Sequence, residues 1–397
     1  MNLLSRPVVL TAAAARSALG DNLDAMRAAL LAGTSGLRPL AGFGELEDSV
    51  SGGAGGWLRD RSPLRGRKYG GASNLAVRVA QEALAVAGWS ADLTREAWVF
   101  AGSSRGNFGE LLNVRYNRRP LKIYAPSNSL NSEIAAAVSI TCGIRAPWQM
   151  LSNGCASGLD AVIWAAHTVA CGLAPRALVV SVELPLVSAL LKDFQRTGLL
   201  NTNGINDPYS PETTGFFPAE AAVALTIEPD GSGTLLTGGW MNSDAFDPVG
   251  LPPDGFGVRA LLDLCWDYFQ AGDASWLPTI CPHASGTKSH GQAEHKAIRS
   301  ILRERNSAQA SVHLLKPFTG HSLGANGALD CALLHTFFSE NRLPPNLPGL
   351  HGECAEIRLP STAEAAGDRT VLKLSGGMGG RNSLLAMNRH FHITQQG

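Results

Sequence analysis

The 397-residue chain is 45% hydrophobic and 17% charged, enough apolar material for a large buried core. Its 33 basic and 33 acidic side chains cancel, which excludes the basic surplus of a general nucleic-acid binder. Seven scattered cysteines with no C-x-x-C pair argue against a disulfide framework or zinc ribbon and fit a reducing compartment, the cytoplasm; no apolar run approaches the roughly 20 residues of a membrane span.

Pro7-Val8-Val9-Leu10 reads as a first strand, and the alanines after it as the lead into a helix rather than a signal peptide. Ala72 to Gly88 reads as a helix and Glu96 to Ala101 as the strand that follows. Leu159 to Gly172 is a helix with almost no polar face, and Ala177 to Val182 a strand without alternation. A helix apolar all round is buried on both sides, and a strand without alternation belongs to a sheet covered on both faces. Together these predict an α/β layered fold with an inner helical layer. Trp98–Ala101 feeding Gly102 to Asn107, and Val371–Leu374 feeding Ser375 to Asn382, look like two copies of one strand-to-glycine-turn unit, a hint of duplication. Asn201 to Pro218, Ser243 to Phe256 and Pro344 to Gly352 are rich in Pro, Gly, Asn and Asp and read as surface loops. No low-complexity linker interrupts the chain, so residues 1–397 are expected to form a single unit.

The sharpest local feature is Leu151-Ser-Asn-Gly-Cys155-Ala-Ser-Gly158-Leu-Asp160, between a short strand (Trp148 to Leu151) and the apolar helix. A sharp strand-to-helix turn needs small neighbours, and it places the thiol at a helix N-terminus, where the macrodipole favours thiolate, the form that exchanges acyl groups with thioesters. The bland alternative is a small buried cysteine in a packed turn.

His283 follows Cys281-Pro282 and precedes Ala-Ser-Gly-Thr287, after which an apparent helix carries Glu294. His321 sits in Lys316-Pro-Phe-Thr-Gly320-His321-Ser-Leu-Gly324-Ala. A lone histidine is usually a satisfied structural one. Two that each open a helix of small residues are less easily set aside, since a neutral imidazole there can donate toward a carbonyl oxygen.

With these motifs in view, the chain resembles the elongating β-ketoacyl-acyl-carrier-protein synthases of the thiolase superfamily, as a divergent member of a polyketide or polyene pathway. Gly-Cys155-Ala-Ser-Gly-Leu-Asp-Ala looks like the family's nucleophile segment, and His283-Ala-Ser-Gly-Thr like its His-Gly-Thr-Gly-Thr pattern. Lys316 with Gly320-His321-Ser-Leu-Gly-Ala fits Lys-x-x-x-Gly-His-x-x-Gly-Ala, and Gly376-Gly377-Met378-Gly-Gly380-Arg-Asn382 looks like Phe-Gly-Phe-Gly-Gly-Thr-Asn. The motifs run in the family's order, with 128 residues from Cys155 to His283 and 38 more to His321.

The resemblance implies a thiolase-like fold of duplicated α/β halves in a five-layer αβαβα arrangement. Residues 1–230 would carry the nucleophile and 231–397 both catalytic histidines. It implies a decarboxylative Claisen condensation between an acyl chain on Cys155 and a malonyl-carrier-protein extender. The backbone N–H groups of Cys155 and Met378 would form the oxyanion hole. His283 and His321 would polarise the extender, Lys316 would tune the histidines, and Glu294 would organise charge. Gly376, Gly377 and Met378 would form an acyl-pocket gate less bulky than the family's aromatic pair. Neither cofactor nor metal is implied. The expected partners are acyl carrier protein, acyl and malonyl thioesters, and a second synthase subunit in a homodimer or heterodimer. Arg65, Arg67 and Lys68, with Arg61 nearby, match the segment through which the family docks the acidic carrier; Arg115, Arg118, Arg119 and Lys122 form a second basic cluster. Ala284, Gly291, Arg381 and Asn153-Gly154 depart from the family pattern.

Three rival readings remain at this stage. Gly102-Ser-Ser104-Arg-Gly106 satisfies G-x-S-x-G, the elbow of a serine hydrolase. His283, His290 and His295 lie close in sequence but match no common zinc spacing. A non-catalytic, chain-length-determining partner subunit would share the fold, although such subunits usually lack the cysteine.

Overall fold

The computed structural model describes residues 4–50, 52–107, 125–272, 276–305 and 307–391. The basic cluster Arg115 to Lys122 lies outside the described residues. Strand β1 (Val8–Ser17) runs through the whole alanine stretch. The expected early helix starts only at α1 (Leu23–Leu31), where the Asn22 side chain accepts from Ala25 N at 2.8 Å. The alanines stay extended because Ala12 to Arg16 pair with Thr226 to Ala222 of a neighbouring strand, whose pull overrides local helix propensity.

Next come α2 (Gly71–Ala87), β2 (Trp98–Gly102), α3 (Glu133–Cys142), β3 (Trp148–Leu151), α4 (Ser157–Ala170), β4 (Ala177–Glu183), α5 (Ser188–Arg196) and β5 (Ala221–Glu228). They are followed by β6 (Gly233–Ser243), α6 (Phe256–Gln270), β7 (Thr279–Cys281), α7 (Lys288–Glu304), α8 (Asn326–Ser339), β8 (Val371–Gly377) and β9 (Arg381–His390). Helix α2 starts at Gly70, which has no side chain to cap it. Asn107 supplies the missing acceptor, taking bonds from Ala72 N at 3.0 Å and Ser73 N at 3.3 Å.

The nine strands form one sheet in the order β3-β2-β4-β5-β1-β6-β9-β8-β7. Read outward from the join, the first half runs β1-β5-β4-β2-β3 and the second β6-β9-β8-β7. A short segment at Val312 bridges Ile280 in the place that β3 occupies in the first half. The halves meet where Val8, Val9 and Leu10 pair with Leu236, Leu235 and Thr234. Strand order therefore repeats, but not in the register suggested by the two glycine turns. Strand β2 corresponds to β7, whereas Val371–Leu374 belongs to β8, the counterpart of β4. The glycine turns look alike because both follow buried strands, not because they are equivalent.

Helices α4 and α8 pack against each other and against strands of both halves, so the sheet folds back around them. Helices α2 and α3 cover one outer face, and α6 and α7 the other. This is the expected five-layer αβαβα arrangement. Both central helices enter through a single 3₁₀ turn, Gly154–Ala156 before α4 and Leu323–Ala325 before α8. Their N-terminal turns cross in close contact: a Cβ on Gly158 would stand 2.6 Å from the Gly324 carbonyl oxygen. Nothing larger than glycine fits there, and the crossing brings the two helix starts to one point. Segment 201–218 is not the expected surface loop. Asp207, Tyr209, Thr213, Phe216 and Phe217 are buried, and the segment runs beneath that point. Among the described residues no helix is long and apolar enough to cross a membrane.

Candidate active site

Cys155 lies in the 3₁₀ turn ahead of α4, after Gly154, whose φ of +58° suits a residue without a Cβ. Cys155 belongs to a buried apolar cluster with Leu191, Phe194, Phe216 and Leu323. His321, ahead of α8, places Nε2 3.3 Å from Cys155 Sγ. His283, five residues before the start of α7, holds its ring centroid 5.3 Å from that of His321 at 81°. All three line one cavity of about 500 Å³, together with Phe216, Gly376, Gly377 and Met378.

A chain of buried polar groups fixes the His321 tautomer. Lys373 Nζ pairs with Asp330 at 2.5 Å, and Asp330 accepts from Asn326 Nδ2 at 3.1 Å. The Asn326 oxygen thereby faces His321, accepting from Ser322 N at 3.1 Å and lying 3.3 Å from His321 Nδ1. A hydrogen on Nδ1 leaves the Nε2 lone pair for the thiol. Burial lowers the pKa of both His283 and His321 well below the ordinary range, and the Lys316 charge adds to the effect. The imidazoles therefore rest neutral.

The expectation of a thiolate at the helix start is corrected. Burial, assisted by the Glu183 carboxylate, pushes the Cys155 thiol up to about 12, against the smaller opposing pull of Lys316 and Arg105. Desolvation of the charged form is the largest cause. The resting pair is thus a neutral thiol beside a neutral base.

Lys316 is buried beneath the cavity and donates to the His283 carbonyl oxygen; burial lowers its pKa from 10.5 to about 8. Glu294, also buried, accepts from His283 N at 2.7 Å, Ala284 N at 2.8 Å and the Tyr209 hydroxyl at 3.3 Å. It thereby holds the histidine loop from below. The backbones of Met378 and the Cys155 turn run side by side. A Cβ on Gly154 would lie 3.3 Å from Met378 N, and one on Gly377 would lie 3.4 Å from Cys155 N.

The departures from the family pattern acquire physical reasons. Asn153 Nδ2 and Arg381 Nε reach the same buried Asp160 oxygen, at 2.7 and 2.9 Å, while Ser383 donates to the other. Arg381 and Asn153 are thus one adjustment, two donors that share a carboxylate beneath the Cys155 turn. Gly291 packs so tightly on the 201–218 segment that a Cβ would meet Pro208 O at 2.2 Å. Ala284 sits at a φ of +43°, a strained value for a residue with a Cβ.

Sequence reasoning missed Lys373, Asp330, Asn326 and Tyr209. A lysine inside the apolar run Val371-Leu-Lys-Leu374 was the available signal, because a charge in a buried strand needs a buried partner. The G-x-S-x-G segment serves another end: Ser104 N and Arg105 N donate to Glu183 at 2.7 and 3.0 Å, joined by Gly324 N at 3.1 Å. Of the three clustered histidines, His295 turns away to Gly352 O, 2.9 Å from its Nε2. Arg65, Arg67 and Lys68 are exposed on the loop before α2. Arg61 pairs instead with buried Glu220 and with Glu45, which takes it out of the patch.

Residues 5–231 match the Beta-ketoacyl synthase, N-terminal domain, and residues 234–349 match the Beta-ketoacyl synthase, C-terminal domain. The tetracenomycin polyketide synthase ketoacyl synthase alpha subunit of Streptomyces glaucescens is 26% identical, over 83% of this chain and 83% of that protein. The chain spans 65% and 64% of the length of two further Streptomyces relatives. A solved type II PKS acyl-carrier protein in complex with its ketosynthase bound to the hexaketide superposes with a TM-score of 0.84 and 23% identity, covering 97% of this chain and 99% of that one. The ishigamide ketosynthase/chain length factor gives the same TM-score and coverage at 21% identity. With both domains matched in succession and the thiolase-like fold shared almost end to end, the chain belongs to the β-ketoacyl synthase family.

Proposed function

We propose that the protein is an acyltransferase that condenses a Cys155-bound acyl chain with a malonyl-carrier-protein extender, in specialised polyketide or polyene synthesis in the cytoplasm. The carrying observation is the 3.3 Å approach of Cys155 Sγ to a His321 nitrogen with a free lone pair, in a cavity that His283 shares. His321 takes the thiol proton as sulfur attacks the incoming thioester and passes it to the departing carrier thiol. Backbone N–H groups of Cys155 and Met378 hold the oxyanion, each worth about 3 kcal/mol. The extender then loses CO2, and its electron pair remains as an enolate that His283 stabilises by donating an N–H. The enolate carbon attacks the acyl-Cys155 carbonyl, a C–C bond forms, and the C–S bond breaks. The freed thiolate regains one proton from solvent. Lys316 and Glu294 position the His283 loop, and Gly376, Gly377 and Met378 frame the acyl entrance.

Residues 1–397 work as one unit in this reading, with the half 1–230 supplying the nucleophile and 231–397 the imidazoles. The carrier docks at Arg65, Arg67 and Lys68, and a second synthase chain, like or unlike, completes the dimer. The test is intact mass after incubation with a panel of acyl-carrier proteins. The wild type gains one acyl group and Cys155→Ala gains none. A wild type that never acylates points instead to a chain-length-determining partner subunit.

A further inference from the structure

The mechanism leaves one buried imidazole of the cavity unused. His290, in the first turn of α7, is 9% exposed and lines the same cavity as Cys155. Its ring stands 4.6 Å from that of His283 at 65°. Among the described residues its Nε2 has no hydrogen-bond partner, and it lies 4.0 Å from Glu294 Oε1. Beneath it is Gly376: a Cβ there would stand 2.7 Å from His290 Cε1 and 3.7 Å from His283 Cδ2. The ring of residue 290 therefore fills the room that a side chain at 376 would occupy, directly beside His283. Positions 290 and 376 act as one filled site, supplied from the helix and left empty by the strand.

We propose that His290 is a specificity-determining residue that sets the size of the extender. This rests on the condensation reading, in which the extender lies against His283. The α-carbon of a malonyl thioester then faces the wall made by His290 over Gly376. An unsubstituted CH2 fits against that wall, and a 2-alkyl branch meets the ring. A single methyl excluded in this way is worth about 10- to 200-fold in selectivity.

The experiment is a competition between malonyl- and methylmalonyl-carrier protein on the acylated full-length enzyme, with products weighed by mass spectrometry. Cys155 acylation, read by intact mass, counts the folded, reactive enzyme in each preparation. The wild type is expected to favour malonyl strongly. His290→Ala should shift the product ratio toward the branched product by about tenfold or more. Gly376→Phe alone should impair condensation by colliding with the His290 ring, and the double variant His290→Ala/Gly376→Phe should restore the malonyl preference. Should His290→Ala fail to fold, Gly376→Ala, which crowds the same wall, should sharpen the preference. An unchanged ratio in these variants overturns the inference, as does loss of both products from an acylated His290→Ala enzyme, which would make His290 part of the chemistry. A wild type that never acylates fails the condensation reading first, and the inference with it.

Discussion

The sulfur of Cys155 is buried and yet within reach of a base, and these two facts separate its reactivity toward small electrophiles from its reactivity toward thioesters. With the thiol pushed up to about 12, almost no thiolate exists between pH 7 and 9. Its alkylation by iodoacetamide at pH 8 should be slower than that of the exposed Cys171, and should not show the rise near pH 8.5 of a free thiol; peptide mapping after timed alkylation reads both. Rapid alkylation rising through pH 8.5 would show that the pocket stabilises thiolate after all. The sequence made Cys155, His283 and His321 legible because each sits among small residues that a sharp turn requires. Protonation was illegible, since it depends on apolar neighbours such as Phe194 and Phe216 that arrive from distant segments. Arg381 and Asn153 likewise looked like unrelated oddities, and only folding reveals the Asp160 carboxylate they share.

At the scale of elements, the active geometry is a property of two helix starts pressed together. Gly158→Ala would put a methyl 2.6 Å from the Gly324 carbonyl oxygen, and backbone cannot move aside as a flexible side chain can. We expect a loss of about 1–3 kcal/mol in denaturant unfolding, with Cys155 acylation falling further than stability because Cys155 and His321 separate. Acylation at wild-type rate would mean the crossing tolerates bulk. The helices themselves were readable: the expected spans from Ala72 and Leu159 fall within two residues of α2 and α4. What failed was the assignment of the alanine run after Leu10 and of the 201–218 loop. In both, a partner far along the chain overrode local preference, strand β5 for the alanines and Glu294 for Tyr209.

For the molecule as a whole, zero net charge conceals an uneven surface. Reversing Arg65, Arg67 and Lys68 to glutamate should raise KM for carrier-borne acyl groups about tenfold or more. Acylation by a small soluble thioester should stay unchanged, and kinetics with both donors across a salt series separate docking from general damage. An equal effect on both donors would remove the patch from the docking role. The five-layer architecture was legible from four motifs in order together with helices apolar all round. The joining of the halves through Val8–Leu10 was not, because three pairs of extended residues carry no pattern of their own.

The crossing of α4 and α8 also governs when the proposed site is complete. Cys155 and His321 are separated by 166 residues of chain. During translation the cysteine is therefore made about ten to thirty seconds before His321. Until both central helices are synthesised and docked, Cys155 lacks the His321 nitrogen that stands beside it in the folded protein. In the proposed reading, base-assisted acyl transfer is thus timed to the completion of folding.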